Sequence, residues 1–394
     1  MKQRKYINRR FVCGWENLVI LLLLMFTACT LEGDIAEERE NQRHRCDNVV
    51  PGATLATKLG WLQTNAQSNT NYTVEVNVNE SIFPQTLSYS GKSNVTITLR
   101  GILLTRTIDL SSNGSMFTIG SGVTLVLDEN ITLRGRNSNT AALVTVNIGG
   151  TLYMNIGSAI TGNTSSGNGG GVRVWGGTFV MNGGLISNNR INSDGTGNAR
   201  GSGVFTSGAF TMNGGSITGN TFSGTAGWGG GVIVNSGTFT MNGGIITNNN
   251  AITSGGGVYV HTTFTLNGGT ISSNTAGWGG GIYIGSGSTG TAKTFNMSGG
   301  NITDNTAQNW GGGVGVVDGI INKTGGTITG YSSDMTNGNR VRNTSGAIVS
   351  NSGHTVYAVK DNTIRRKETT AGLGANLWFN GTGSSAVWSG SWDF

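Results

Sequence analysis

One short motif recurs down the middle of this chain, and it constrains the fold more than any other feature. Residues 178–184 read TFVMNGG, and 209–215, 238–244, 263–269 and 294–300 read AFTMNGG, TFTMNGG, TFTLNGG and TFNMSGG. Ahead of each lies a Gly-rich turn with an apolar triplet: GGGVRV from 169, GSGVFT from 201, GGGVIV from 229, GGGVYV from 255, GGGIYI from 279 and GGGVGV from 311. After each comes a third run, as in LISNN from 185, SITGN from 216 and IITNN from 245. The equivalent glycines Gly184, Gly215, Gly244, Gly269, Gly300 and Gly326 are spaced by 31, 29, 25, 31 and 26 residues. A period in this range marks a solenoid, in which each repeat buries its apolar face only against its neighbours.

Three runs of four to six residues per repeat, separated by Gly and Asn, are strands and not helices. Each repeat is therefore one triangular coil, stacked on the last at about 4.8 Å per step. The chain carries 68 Gly and 2 Pro, with 11% charged residues, which excludes collagen's three-residue period. Aligned repeats define three apolar walls. Phe179, Phe210, Phe239, Phe264 and Phe295 form one column, with Met181, Met212, Met241, Leu266 and Met297 two residues on and on the same strand face. A second wall is Val172, Val204, Val232, Val258, Ile282 and Val314, and a third is Ile186, Ile217, Ile246, Ile271, Ile302 and Ile328. Five residues after each reference glycine stands Asn189, Asn220, Asn249, Asn274 or Asn305, with Asn163 in an earlier coil. Stacked amides bond from coil to coil, and Asn also tolerates the left-handed backbone of a tight turn. The expected fold is all-β: a right-handed parallel β-helix solenoid with a short N-terminal capping helix.

Both ends depart from the pattern. Leu55, Leu59 and Leu62 within residues 54–64 have helical spacing beside Trp61, which predicts the amphipathic cap that an open first coil requires. Looser coils are expected at 72–78, 94–101, 115–120 and 123–133. Past Tyr331, strands are expected at 346–350 and 355–359 and a charged turn at 365–368. Clear repeats span 140–330, within one β-helix domain over 51–394 whose C-terminal cap is 331–394. About a dozen coils would make a rod some 50–60 Å long.

Residues 1–29 read as an export signal: Lys2, Arg4, Lys5, Arg9 and Arg10 precede the apolar run Leu18–Phe26, which is short of the roughly 20 residues needed to span a bilayer. The segment ends in Phe26-Thr27-Ala28-Cys29, which resembles a lipobox with Cys29 as the lipidated residue and Phe26 in place of the usual Leu. An ordinary cleaved signal is the alternative. Thr30 after the cysteine resembles the sorting pattern of outer-membrane lipoproteins. Residues 30–50 form a flexible tether, polar and without apolar period through most of their length. With Cys13 removed and Cys29 acylated, Cys46 has no disulfide partner. Of the 25 basic and 19 acidic residues, 20 and 18 follow Cys29, so no basic stripe marks a nucleic-acid binder.

The repeats resemble the right-handed parallel β-helix repeats of bacterial surface proteins. In particular, Gly-Ser-Ile-Thr-Gly-Asn at 215–220 is similar to the short repeats of the chlamydial polymorphic outer membrane proteins. That resemblance implies a β-helical surface protein. It implies no single activity, because this scaffold, also that of pectate lyases, carries lyases, hydrolases, adhesins and tailspikes alike. Only about 60 residues follow the last clear repeat, too few for the membrane barrel of those proteins. The ending Trp388–Phe394 resembles an outer-membrane strand, but one strand makes no barrel.

Polysaccharide-cleaving enzymes need clustered carboxylates. Between Ala141 and Gly330 the acids are Asp194, Asp304 and Asp318, and only Asp304 with Asp318 are close enough in coil number to form a dyad. Asp128 and Glu129, near Arg134 and Arg136, point to opposite strand faces. His261 reads as a surface histidine, and His44 and His354 look isolated. Gly285–Gly290 matches G-x-G-x-x-G without the strand–helix unit that gives it meaning. No metal cluster and no cofactor are implied, and no catalytic residue is assigned. Trp228, Trp278 and Trp310 precede three of the Gly-rich turns, in a column shared with Asn168, Arg200 and Ser254; their indoles either cover the turn or stack on sugar rings. The expectation is a non-enzymatic lipoprotein at the cell surface or outer membrane, anchored through lipid and engaged in adhesion to a host or matrix component. The alternatives are a carbohydrate-active protein and a structural envelope component.

Overall fold

The computed structural model describes residues 48–193, 199–285, 293–360, 363–381 and 387–393. The expected export segment with Cys29, the expected tether up to residue 47 with His44 and Cys46, Asp194, and residues 286–290 lie outside the described residues. The described chain is a parallel β-helix with one short helix. Its three walls are sheets of twelve, ten and eleven strands, here called the Phe, Ile and Val walls. A coil runs from a Phe-wall strand such as Thr238–Met241 to an Ile-wall strand, Ile245–Thr247, then through a corner to a Val-wall strand, Val258–Val260. Short fourth strands, among them Thr275–Trp278 and Thr306–Trp310, fill the corner between the Ile and Val walls in some coils.

Strand registers reproduce the repeat alignment. Phe179, Phe210, Phe239, Phe264 and Phe295 pair in sequence, each with the same column of the next coil. Their buried rings stack with centroids 4.6, 4.5, 4.7 and 5.3 Å apart and planes within 16° of parallel. That spacing is the strand repeat itself, so ring stacking and backbone pairing enforce the same geometry. Each such ring contributes roughly 1.5–3 kcal/mol by burial, which makes a thin core sufficient when it is continuous.

The Asn column forms at the corner after the Ile wall. From Asn220 onward each Oδ1 accepts from the backbone N–H and the Nδ2 of the preceding coil's Asn: Asn220 to Asn249 at 3.0 and 2.9 Å, and Asn249 to Asn274 at 3.0 and 3.0 Å. From Asn189 onward each Nδ2 also donates to an Ile-wall carbonyl, as Asn249 does to Ile217 at 2.9 Å. Asn139 and Asn339 extend the ladder beyond the expected members. These residues do not take the left-handed backbone expected of them. The preceding residue does, with φ of 54° at Asn188, Asn248, Ser273 and Asp304 and 64° at Gly219. The turn is made one residue early because the ladder amide must enter the core to reach its partners. The third glycine of each Gly-rich turn faces that amide: a Cβ on Gly257 would lie 2.7 Å from the Gly281 carbonyl and 3.0 Å from Asn274 Nδ2.

Helix α1 (Leu55–Asn65) starts one residue later than expected, because Thr54 is its N-cap in a capping box with Thr57. Leu55, Leu59 and Leu62 are buried over the first coil. The Glu80 carboxylate accepts from Leu55 N–H at 2.8 Å, placing an anion at the positive end of the helix.

The helix has ten parallel rungs in the Ile wall, about nine turns, and not a dozen coils; the rise is therefore about 43 Å. The difference lies at the C-terminus, where the chain stops coiling. Thr363–Lys367 returns antiparallel along Val356–Lys360, and Leu377–Asn380 returns along Ile320–Lys323, followed by Val387–Gly390. The expected charged turn at 365–368 is thus largely a strand. Its long stems do the covering: Arg365 lies 5.8 Å over the Trp388 ring and buried Lys367 reaches Asp393. The expected strand at 346–350 is a turn with one bridge, Arg342 to Ile348. There the Asn343 side chain accepts from the backbone of Ser345 at 3.1 Å and Ala347 at 2.9 Å and outcompetes strand pairing. Trp388 stacks on Phe379 at 4.1 Å and closes the core. The Met column ends at buried Lys323, whose Nζ donates to the carbonyls of Gly372 and Ala375 at 2.7 and 2.8 Å.

Candidate functional site: an aromatic cleft on the Val wall

In a V-x-V strand the middle residue points away from the core. On the Val wall those residues include Phe205, Ile233, Tyr259 and Tyr283, all buried. They are covered by a second layer, in which Trp228, Trp278, Trp310 and Val317 pack against them from outside. The sequence carried the signal: aromatic residues at outward positions of GSGVFT, GGGVYV and GGGIYI ask for something to lie over them.

The Trp column is contiguous. Backbone bridges link Arg200 to Trp228, Trp228 to Ser254 and Ser254 to Trp278, and Trp278 pairs with Trp310. Trp310 also fills a missing place in the layer beneath. It packs between Tyr283, at 5.8 Å, and Tyr357, at 4.8 Å, in the rung where Gly315 has no side chain. Ser254 is the small residue of the column, so Trp228 and Trp278 stand two rungs apart, roughly 9.6 Å at the strand repeat. A cleft of about 470 Å³ opens there, with Thr253 and Ser254 between the two indoles, and is bounded further by Arg200, Trp310 and the rings beneath. Its size is within the range of small-ligand sites.

The electrostatics of the cleft are one-sided. Tyr259, Tyr283 and His261 line its inner part, and none of the described residues lining it is acidic. Among the described residues Arg200 forms no ion pair; its guanidinium lies 5.8 Å over the Trp228 ring, Nη1 donates to Asn235 Oδ1 at 3.2 Å, and buried Nε has no acceptor. Burial pushes the Tyr283 phenol up to about 12, so it is neutral at physiological pH. His261 is not the expected surface histidine. It is buried, its ring centroid 4.5 Å from that of Tyr259 and tilted by 30°, and burial together with Arg200 and Lys293 lowers its pKa to about 4. The second layer, which encloses His261 as well, is what the strand pattern alone does not show.

The candidate dyad does not assemble. Asp304 sits at the corner after the Ile wall, paired with Arg340 and accepting from Ser273 at 2.8 Å. Asp318 sits at the other corner, between Val and Phe walls, paired with buried Lys293 at 2.8 Å. Arg134 pairs with Asp109 and not with the 128–129 acids. His354 is buried too: Nδ1 accepts from Val341 N–H at 3.0 Å, and Nε2 lies 3.8 Å from Glu368. Among the described residues no group of three or more His, Cys, Asp or Glu is placed to hold a metal, and no helix is long and apolar enough to cross a membrane.

A second amide ladder, which the sequence reading did not single out, runs outside the core on the turn after the Phe wall. Asn155 donates to Asp128 at 3.2 Å, followed by Asn182, Asn213, Asn242 and Asn267, each bonded to the one before, and then by Ser298. The Asn of the repeated MNGG string is its signature. Its amides are exposed and bonded to each other, which suits a stiffened edge.

Comparison with protein families, with curated proteins and with solved structures gives no match for this chain.

Proposed function

We propose that this chain is a non-catalytic β-helical contact rod, exported and held at the cell surface or outer membrane by a lipid on Cys29, and that it engages a host or matrix component through the Val-wall cleft. The observation that carries the reading is the cleft itself: half-buried Trp228 and Trp278 flanking Ser254, over the buried rings of Tyr259 and Tyr283. Aromatic and arginine side chains with little conformational freedom are the groups that dominate contact energies at recognition surfaces. The pairing of Asp304 and Asp318 with separate cations at separate corners supports a role without hydrolysis or elimination. The lipobox-like Phe26–Cys29 supports the anchor, and the resemblance of the repeats to those of chlamydial polymorphic outer membrane proteins supports the surface location.

Deleting the gene and measuring attachment of the producing cells to host cells or extracellular matrix tests the reading. Attachment is expected to fall. Unchanged attachment with a weakened envelope would replace the contact role by a structural one.

A further inference from the structure

The cleft combines two kinds of surface that one ligand class satisfies together. Two indoles two rungs apart offer flat apolar faces, to which the C–H face of a pyranose ring is complementary. At the Trp228 end stands Arg200, a guanidinium with no carboxylate partner among the described residues. A guanidinium fixed beside an apolar wall recognises a planar anion by charge-assisted, forked hydrogen bonds. Polar atoms at Thr253 and Ser254 lie between the indoles, and among the described residues lining the cleft there is no acid to repel an anion. Ligands rich in cations or bare aliphatic chains match this lining less well.

We propose that the cleft takes a segment of an acidic polysaccharide, with one sugar ring between Trp228 and Trp278 and the carboxylate of a neighbouring sugar on Arg200. The inference rests on the reading of the chain as a contact rod and names what the cleft contacts. The polymer then runs along the stacking direction, since Arg200, Trp228, Ser254 and Trp278 follow one another at successive rungs. An extended chain is the natural partner of such a row.

The test is titration of the purified full chain with oligosaccharides of galacturonate, alginate and hyaluronan, beside neutral dextran and xylan oligosaccharides. The acidic set is expected to bind, more weakly as salt rises, and the neutral set to bind at least tenfold more weakly. Arg200→Gln should abolish the preference for acid. Ser254→Trp should fill the gap between the indoles and lower affinity at least tenfold; it adds a side chain over the wall, and far-ultraviolet circular dichroism together with the urea midpoint should show the fold intact. Trp278→Phe serves as a second variant that keeps cover for Tyr283 while narrowing the apolar face, with an intermediate loss expected. Binding only to neutral glycans, binding unaffected by Ser254→Trp, capture of an acidic peptide but no glycan, or no binding at all would each overturn the inference. The contact-rod reading is judged separately: if Ser254→Trp still lowers cell attachment, that reading stands and only the ligand class falls.

Discussion

The indole of Trp310 occupies the space that a side chain at position 315 would need: a Cβ built on Gly315 would lie 2.7 Å from Cζ3 of Trp310. Gly315 is the one middle residue of the late Val wall that is neither aromatic nor aliphatic, and the tryptophan five residues earlier in sequence takes its place in the stack between Tyr283 and Tyr357. Gly315→Val should therefore expel the ring. The expected cost is about 1–3 kcal/mol, from overpacking and from loss of two ring contacts. Urea denaturation and near-ultraviolet circular dichroism check it; an unchanged midpoint with unchanged aromatic signal would show that the ring does not need that space.

The two amide ladders make opposite predictions for the same substitution. Asn249 is buried; its Oδ1 accepts twice from Asn220, and its Nδ2 donates to Ile217 and Asn274. Asn249→Ala strands several buried polar groups at about 1–3 kcal/mol each, so a total loss on the order of 4 kcal/mol is expected. Asn213 sits on the exposed ladder, where water replaces the lost bonds, and Asn213→Ala should cost under about 1 kcal/mol. Denaturation midpoints of the two variants compare them directly, and similar losses would contradict the assignment of inner and outer ladders.

His261 gives the protein an acid sensitivity of defined sign. Unfolded, the imidazole begins to take a proton near 6.5; folded, burial and the cations Arg200 and Lys293 hold it neutral until about 4. Between those values the unfolded chain binds more protons, so stability is full above 6.5 and falls as pH falls toward 4. The group's share is on the order of 3 kcal/mol at 1.36 kcal/mol per unit. His354, also lowered by burial, adds a loss of the same sign, opposed by Glu368. His261→Phe should flatten the stability profile between pH 4 and 6.5, leaving the part due to His354. A profile identical to that of the unsubstituted protein would place His261 in contact with water.

If Cys29 carries the lipid, Cys29→Ser should move the protein from the detergent phase to the aqueous phase of a phase-separation assay. It should also end incorporation of labelled palmitate. Persistent labelling would assign the anchor elsewhere.

How much of this was legible in the sequence depended on whether the repeat carried it. The Phe and Met columns, the Ile wall and the ladder from Asn163 to Asn305 follow from alignment of the repeats, because each coil repeats the environment of the last. The Trp column was visible as a position, and Tyr259 and Tyr283 as outward aromatics, yet the packing of one over the other and the burial of His261 were not, because that second layer is formed by residues folding back over the wall. Counting coils failed for a related reason. Strands such as Thr363–Lys367 and Leu377–Asn380 have ordinary strand composition, and nothing in period two tells an antiparallel return from another parallel rung. At the outward face of a strand, a long charged side chain such as Arg365 serves cover as well as solvation, so the charge at 365–368 pointed to a turn that is not there.

If the rod makes its contact through the cleft between Trp228 and Trp278, filling that cleft should abolish the contact. Cells producing Ser254→Trp, with surface amounts matched to the unsubstituted protein by antibody labelling of intact cells, should be compared for attachment to host cells or matrix. Attachment should be reduced toward that of the deletion strain. Attachment equal to that of cells with the unsubstituted protein, at equal surface amount, would contradict it.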